Sequence, residues 1–294
     1  MLAEQGAQHP LILDTFEQAS EALGYDLWKL VQEGPGEDLN RTDKTQPAIL
    51  TASIALWHVW LAEGGAVPAY VAGHSLGEYS ALVAAQSLAL EDAVRLVERR
   101  GQLMQEAVPA GQGGMAAILG LDDADVIAVC AEAAQGEVVS AVNFNSPGQV
   151  VIAGSAEAVK RAMELCKARG AKRALPLPVS VPSHCELMRP AAQHFAQSIE
   201  AIEWQEPRIA LVQNVSAAAV TDLATLKRDL LEQLYKPVRW VESIQCLAGL
   251  GVTQLVECGP GKVLAGLNKR CAEGVVTYNL DTPDAFAAAR AALA

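Results

Sequence analysis

Gly73-His74-Ser75-Leu76-Gly77 sets a serine between two glycines, each two residues away. This is the G-x-S-x-G pattern of a nucleophile elbow, a sharp strand-to-helix turn that projects a hydroxyl from the end of a sheet. The glycines let the backbone turn without Cβ clashes. The helix that follows aims its N-terminal N–H groups at the site, so the backbone amide of Leu76 is the natural donor to an oxyanion. A serine nucleophile also needs a base. Of the five histidines, His9 lies near the terminus, and His58 and His194 fall in helical stretches that suit surface or core. His74 adjoins the serine, where neighbouring side chains diverge, and suits the lining of a cleft. His184 follows Val179-Ser180-Val181-Pro182-Ser183, a strand end and loop. Loops on a rigid sheet are where catalytic groups tend to sit; a satisfied structural histidine is the competing reading.

A third candidate comes from periodicity. Over 92–108 the apolar positions repeat with helical spacing, and Arg100 lies three and four residues from Val97, Leu96, Leu103 and Met104. It therefore shares their face, whereas Arg99 falls on the polar face. An inward arginine needs a partner, because an unpaired buried charge is costly. Either an internal Asp or Glu pairs with it, or it serves as a bidentate clamp for a substrate carboxylate.

The elements that must position these groups read as α/β. Residues 11–32 form a helix interrupted at Gly24, Gly34-Pro35-Gly36 a loop, and 47–62 an apolar helix. Ala69–Ala72 is a short strand running into the elbow, and Glu78–Gln86 is the helix after it. The stretch 113–178 reads as β-α-β-β-α-β, the ferredoxin-like pattern. It comprises strands at Met115–Leu119, Val138–Phe144, Gln149–Ala153 and Arg173–Leu177, an Asn145-Ser146-Pro147-Gly148 turn, and two helices, one opened at Asp122 and one capped by Ser155. After it, His184 opens a helix that Ser183 caps. Strands at Ile209–Val212, Thr253–Glu257 and Val275–Asn279 alternate with helices at 225–234 and 241–248 and one after Gly261. The expected architecture is a parallel-sheet core over 1–110 and 180–294 with a small subdomain inserted at 111–179.

Composition excludes several classes. A net charge of -12 argues against nucleic acid as the main partner. Hydrophobic residues at 51% promise a substantial core, yet no uninterrupted apolar run is long enough to span a bilayer, and the start does not read as a signal peptide. Six cysteines without a C-x-x-C pair suggest neither zinc nor another metal site and fit a reducing cytoplasm. Cys185, next to His184, reads as a bystander. Basic clusters at Arg169, Lys172, Arg173 and at Lys262, Lys269, Arg270 read as solvated surface.

The segment Gly73-His74-Ser75-Leu76-Gly77-Glu78-Tyr79-Ser80-Ala81-Leu82 closely resembles the active-serine segment of malonyl-CoA:acyl-carrier-protein transacylases. Thr45-Gln46-Pro47-Ala48, Arg100-Gly101 with Met104-Gln105, Asn143-Phe144-Asn145-Ser146-Pro147-Gly148-Gln149, Pro182-Ser183-His184 and Gly259-Pro260-Gly261-Lys262-Val263-Leu264 match in family order over essentially the whole chain. The resemblance implies an α/β-hydrolase-like core with an inserted ferredoxin-like subdomain. It implies a Ser75–His184 dyad, with the histidine oriented by a backbone carbonyl at Gln233, and Arg100 on the free carboxylate of malonate. The implied reaction moves a malonyl group from malonyl-CoA to the phosphopantetheine thiol of acyl carrier protein, as in fatty acid and polyketide synthesis. No cofactor is expected beyond the phosphopantetheine that the partner carries. Lys236, Arg239 and Lys262 are candidates to meet an acidic carrier.

The chain departs from the family pattern in one place. Relatives begin with an apolar strand and a Gly-Gln-Gly-Ser-Gln loop that supports the oxyanion hole. Met1-Leu2-Ala3-Glu4 is similar to the segment just after that loop, which occurs nowhere in this sequence. Loss of one oxyanion donor costs about 10²- to 10³-fold in rate, so a catalytically impaired relative or a non-catalytic module is one alternative. A serine hydrolase or thioesterase is the other, and would carry a carboxylate on its histidine.

Overall fold

A computed structural model describes residues 1–179 and 181–293. Ser180, within the expected loop before His184 and at the expected subdomain boundary, lies outside the described residues, as does Ala294.

The chain opens with helices α1 (Ala3–Gln8), α2 (Pro10–Leu23), α3 (Leu27–Glu33), α4 (Gly36–Leu39) and α5 (Thr42–Ala62). The interruption at Gly24 is a full stop. Gly24 takes φ +77° and donates its N–H to Ser20 O, and the Asp26 carboxylate restarts the chain by accepting from Lys29 N at 2.8 Å. The expected loop at 34–36 leads directly into the single turn of α4. Strand β1 (Tyr70–Ala72), α6 (Gly77–Ala84) and α7 (Leu90–Ala107) follow. Phe16, Leu50, Leu56, Leu96 and Val97 are among the residues that bury this helical layer.

Next come β2 (Gly113–Leu119), α8 (Asp123–Ala134), β3 (Val139–Ser146), β4 (Gln149–Ser155), α9 (Ala156–Ala168) and β5 (Arg173–Pro176). Their sheet has the order β3-β4-β2-β5 with every pair antiparallel. Alternate residues face opposite sides, as the pleat requires. Ala116, Ile118, Val150 and Ile152 pack with Val126, Val129, Ala158 and Ala162 of the two helices. Met115, Val151 and Ala153 pack instead with Cys185, which joins this unit to the segment bearing His184. Ser155 occupies the position before α9, but its side chain makes no capping bond.

The remainder comprises α10 (Arg189–Glu200), β6 (Ala210–Val212), β7 (Ala219–Val220), α11 (Leu223–Glu232), α12 (Trp240–Gly249), β8 (Gln254–Glu257), α13 (Val263–Asn268), β9 (Val276–Asn279) and α14 (Pro283–Leu293). The expected parallel sheet is present as two pieces among the described residues. β1 pairs in parallel with β6, which carries β7 antiparallel, and β8 pairs in parallel with β9. Strands this short make few ladder bonds. Side chains of Tyr70, Ala72, Val212, Val238, Trp240 and Leu255 share one core and join the pieces instead.

Candidate active site

The elbow sits where β1 hands over to α6. Gly73 is obligatory there, because a Cβ on it would lie 1.9 Å from the carbonyl carbon of Gly77. Gly77 carries no such constraint: a Cβ there meets nothing within 4 Å. Only one of the two glycines is therefore demanded by sterics. Ser75 is driven to φ +51°, a left-handed conformation that costs a non-glycine residue about 1–3 kcal/mol. Asn214, just past β6, holds it there. Its Oδ1 accepts from Ser75 N at 2.7 Å and its Nδ2 donates to Gly73 O at 2.7 Å. The N–H of Ser75 is thus engaged, whereas no described backbone carbonyl accepts the N–H of Leu76 at the head of α6.

Facing the serine is His184, 4% exposed and also left-handed at φ +65°. It does not start a helix. A 3-10 turn follows at Glu186–Met188 before α10, and Ser183 Oγ turns to Val181 O at 3.5 Å rather than capping, because the left-handed backbone at His184 interrupts the helical path. His184 Nε2 lies 2.8 Å from Ser75 Oγ, and Nδ1 lies 2.6 Å from the backbone oxygen of Gln233. A carbonyl can only accept, so Nδ1 holds the proton and the Nε2 lone pair is left for the serine hydroxyl. Burial and then the Arg100 charge lower the His184 pKa to about 3, which keeps the ring neutral. Cys185 is buried, its Sγ donating to Pro182 O at 3.1 Å, away from the serine.

Arg100 is 2% exposed, as its position on the apolar face of α7 predicts. The adjacent Gly101 makes this possible: its Cβ position is 2.5 Å from the Cα of Asp43, so α7 touches the backbone of α5. That contact brings Gln46, one turn further along α5, to the guanidinium. Nη1 donates to Gln46 Oε1 at 2.7 Å, and Nη2 donates to Gln233 Oε1 at 2.9 Å and to Ser75 Oγ at 3.2 Å. All three partners are neutral, and Nε has no partner among the described residues. The internal Asp or Glu of the competing reading is not among its contacts. Burial disfavours this charge, yet a guanidinium cannot shed its proton. The site thus holds an arginine with spare donors beside the serine oxygen.

His74 is half-buried, its Nε2 2.7 Å from Asn145 Oδ1 and its ring stacked at a tilt on Trp240, 5.5 Å between centroids. Gln46, Asn145, Asn214 and Glu78 had no role assigned from sequence. Two of them carried a signal. Asn214 follows an apolar strand, where sheet-borne loops begin. Glu78 lies three and four residues before buried Ala81 and Leu82, on the apolar face of its helix, just as Arg100 does on its own. Of the candidate carrier contacts, Lys236 pairs with Glu232 at 2.8 Å, Arg239 binds Glu242 and the carbonyls of Val215 and Ser216, and Lys262 is exposed. Among the described residues no cluster of three or more His, Cys, Asp or Glu could hold a metal ion, and no helix is long and apolar enough to cross a membrane.

Residues 8–274 match the acyl transferase domain family. The chain is 58% identical over 289 residues to the malonyl CoA-acyl carrier protein transacylase of Salmonella typhimurium, covering 98% of this chain and 94% of that protein. The Bacillus subtilis protein of the same name is 46% identical over 278 residues, covering 94% and 87%. Among solved structures, the malonyl CoA-acyl carrier protein transacylase of Coxiella burnetii superposes with a TM-score of 0.98 at 49% identity, covering 100% of this chain and 93% of that one. A malonyl-transacylase solved in complex with a type II PKS acyl-carrier protein gives 0.97 at 52% identity, with 98% and 94% covered. With a hydrogen-bonded serine–histidine pair and an unneutralised arginine in a mixed α/β fold, and with this degree of identity, the chain belongs to the malonyl CoA-acyl carrier protein transacylases of the acyl transferase family.

Proposed function

We propose that this protein transfers a malonyl group from malonyl-CoA to the phosphopantetheine thiol of acyl carrier protein through a malonyl ester on Ser75. The observation that carries the reading is Arg100, buried with only neutral partners and 3.2 Å from the Ser75 oxygen. A carboxylate two bonds beyond a reacting carbonyl would meet it. An acyl group without one leaves the charge unpaired, and burying an unpaired charge is what the site penalises.

Ser75 Oγ gives its proton to His184 Nε2 and attacks the thioester carbon, whose π pair moves to oxygen. The N–H of Leu76 and the dipole of α6 stabilise that oxyanion. Collapse breaks the C–S bond, and the CoA thiolate takes the proton from His184. The pantetheine thiol then gives its proton to Nε2, its sulfur attacks the ester, and the serine oxygen leaves and recovers the proton. The Gln233 carbonyl keeps Nδ1 protonated throughout and stabilises the imidazolium that forms transiently; a carbonyl there, in place of a carboxylate, distinguishes this pair from the hydrolase alternative. When the malonyl carboxylate pairs with Arg100, the positive field that depresses His184 is partly neutralised, so the base strengthens once the correct substrate is seated. The chemistry so written uses no resident cofactor. His74 lines the cleft from the Trp240 side.

We further read residues 1–110 and 180–294 as an α/β-hydrolase-like subdomain and 111–179 as a ferredoxin-like one, supported by the β-α-β-β-α-β order and the β3-β4-β2-β5 sheet. Free cysteines support a reducing, cytoplasmic setting. The function is tested by Arg100→Ala. Acylation of Ser75 by malonyl-CoA is expected to fall by about 2–5 kcal/mol, or roughly 30- to 4,000-fold, with acylation by acetyl-CoA no worse than in the wild type. Equal losses for both donors would remove the carboxylate clamp.

A further inference from the structure

Gln233 can adopt only one amide orientation. Its Oε1 faces Arg100 Nη2 at 2.9 Å, and a guanidinium only donates. Its Nε2 faces the Ser75 carbonyl at 2.9 Å, which only accepts. The second hydrogen on Nε2 needs an acceptor, and that acceptor is Glu78 Oε2. The other oxygen of the same carboxylate, Oε1, accepts the backbone N–H of Asn214 at 2.6 Å. Asn214 in turn clamps the elbow at Ser75 N and Gly73 O.

Glu78 is wholly buried, in the first turn of α6. A carboxylate there is expensive, and burial pushes its pKa up to about 8; the N–H donor facing each of its oxygens opposes that shift, and two donors with no acceptor are the partners of the ionised form. A helix N-terminus favours a negative side chain, but an exposed one would serve equally well. What burial adds is that both oxygens are used by groups outside α6, one after β6 and one at the end of α11. One carboxylate therefore ends two chains of hydrogen bonds. The first runs through the Gln233 side chain to Arg100, and the second runs through Asn214 to the nucleophile turn.

We propose that Glu78 is a positioning residue that holds the Arg100 guanidinium and the Ser75 elbow in register through Gln233 and Asn214, and so sets the preference for acyl groups that carry a carboxylate. Glu78 itself touches neither the serine hydroxyl nor the arginine. It supplies the second of the two acceptors on Gln233 Nε2 and, with the Ser75 carbonyl, stops the amide from turning over, which would point N–H groups at a guanidinium. The proposal rests on the transacylase reading above.

The test is Glu78→Gln, which keeps the shape but replaces one acceptor with a donor, so that one of the two N–H partners meets another N–H. The ratio of Ser75 acylation rates, malonyl-CoA over acetyl-CoA, is expected to fall by about 10- to 100-fold, the range seen when outer partners of catalytic metal ligands are removed. In an Arg100→Ala background the same substitution should leave the ratio unchanged, because the group it positions is gone. A role confined to stability would lower Tm and leave the ratio of the folded protein within twofold of the wild type, which would overturn the proposal. If Glu78→Gln does not fold, Glu78→Asp keeps both acceptors but withdraws them by one methylene; an unchanged ratio there is equally fatal. Wild-type protein that malonyl-CoA cannot acylate sinks the transacylase reading itself. Wild-type acylation with an unmoved variant ratio sinks only this one.

Discussion

The four-stranded unit of β2–β5 and the region around Ser75 solve opposite problems. In the first, seven-residue strands pair in long antiparallel ladders, and both faces of the sheet are apolar. Its only buried polar side chains are Asn143 and Ser146. In the second, strands of three residues support a dense polar interior of Gln46, Glu78, Arg100, His184, Asn214 and Gln233, all buried. Two non-glycine residues there, Ser75 and His184, adopt left-handed backbone and face one another. The first region satisfies local rules throughout, as stable folds do. The second breaks them where chemistry demands it, and the surrounding hydrogen bonds hold the strain in place.

Substitutions that act on one region and spare the other sharpen this contrast. The largest effect is expected at Gly73→Ala. Its Cβ would collide with the Gly77 carbonyl carbon, so the elbow must shift, and a displacement of about 1 Å costs about a hundredfold or more in acylation rate. A rate within threefold of the wild type would show that the turn is not held as described. Ile152→Ala in the four-stranded unit removes a fully buried side chain between β4 and the two helices. It should cost about 2–5 kcal/mol of stability, read by denaturant midpoint, with acylation per folded molecule unchanged. A parallel loss of rate would couple the two regions more tightly than the contrast allows.

The third expectation concerns pH. His184 is neutral because burial and Arg100 depress its pKa to about 3 from an ordinary value of 6.5. The base form therefore persists as pH falls, and malonyl acylation should change by less than about twofold between pH 7 and pH 5. A histidine of ordinary pKa would lose about 25-fold over that range. The same depression erodes stability as pH drops below 6.5, since only the unfolded chain takes up the proton there. The rates are accordingly read by rapid pH jump on folded protein. The smallest effect is expected at Gly77→Ala, where a Cβ meets nothing. Its thermal midpoint should stay put or rise slightly, a gain of at most about 1 kcal/mol; a clear loss would mean that this glycine too is required by the turn.

Much of this was legible in the residues. The elbow, the inward face of Arg100 and the hairpin at 145–148 each rest on spacing over a few positions, and local spacing survives folding. His184 was legible as a candidate but not its surroundings, because its left-handed backbone replaces the helix start that the preceding Ser183 suggested. The division of the parallel strands into two pieces was not legible. Apolar runs such as Tyr70–Ala72 and Gln254–Glu257 announce strands without naming their neighbours, and side-chain packing rather than ladder bonds joins them. The roles of Asn214 and Glu78 also escaped. A hydrogen bond between residues 136 positions apart leaves no local pattern, and the one local clue, a carboxylate on an apolar helix face, says that Glu78 points inward without naming its partners.

The most direct test of the account is intact-protein mass spectrometry after mixing this chain with malonyl-CoA, beside a Ser75→Ala control. The account predicts one malonyl adduct on the wild type and none on the variant, with the adduct discharged by the thiol of phosphopantetheinylated acyl carrier protein. A folded wild-type protein that gains no adduct, or an adduct that persists in Ser75→Ala, would contradict it.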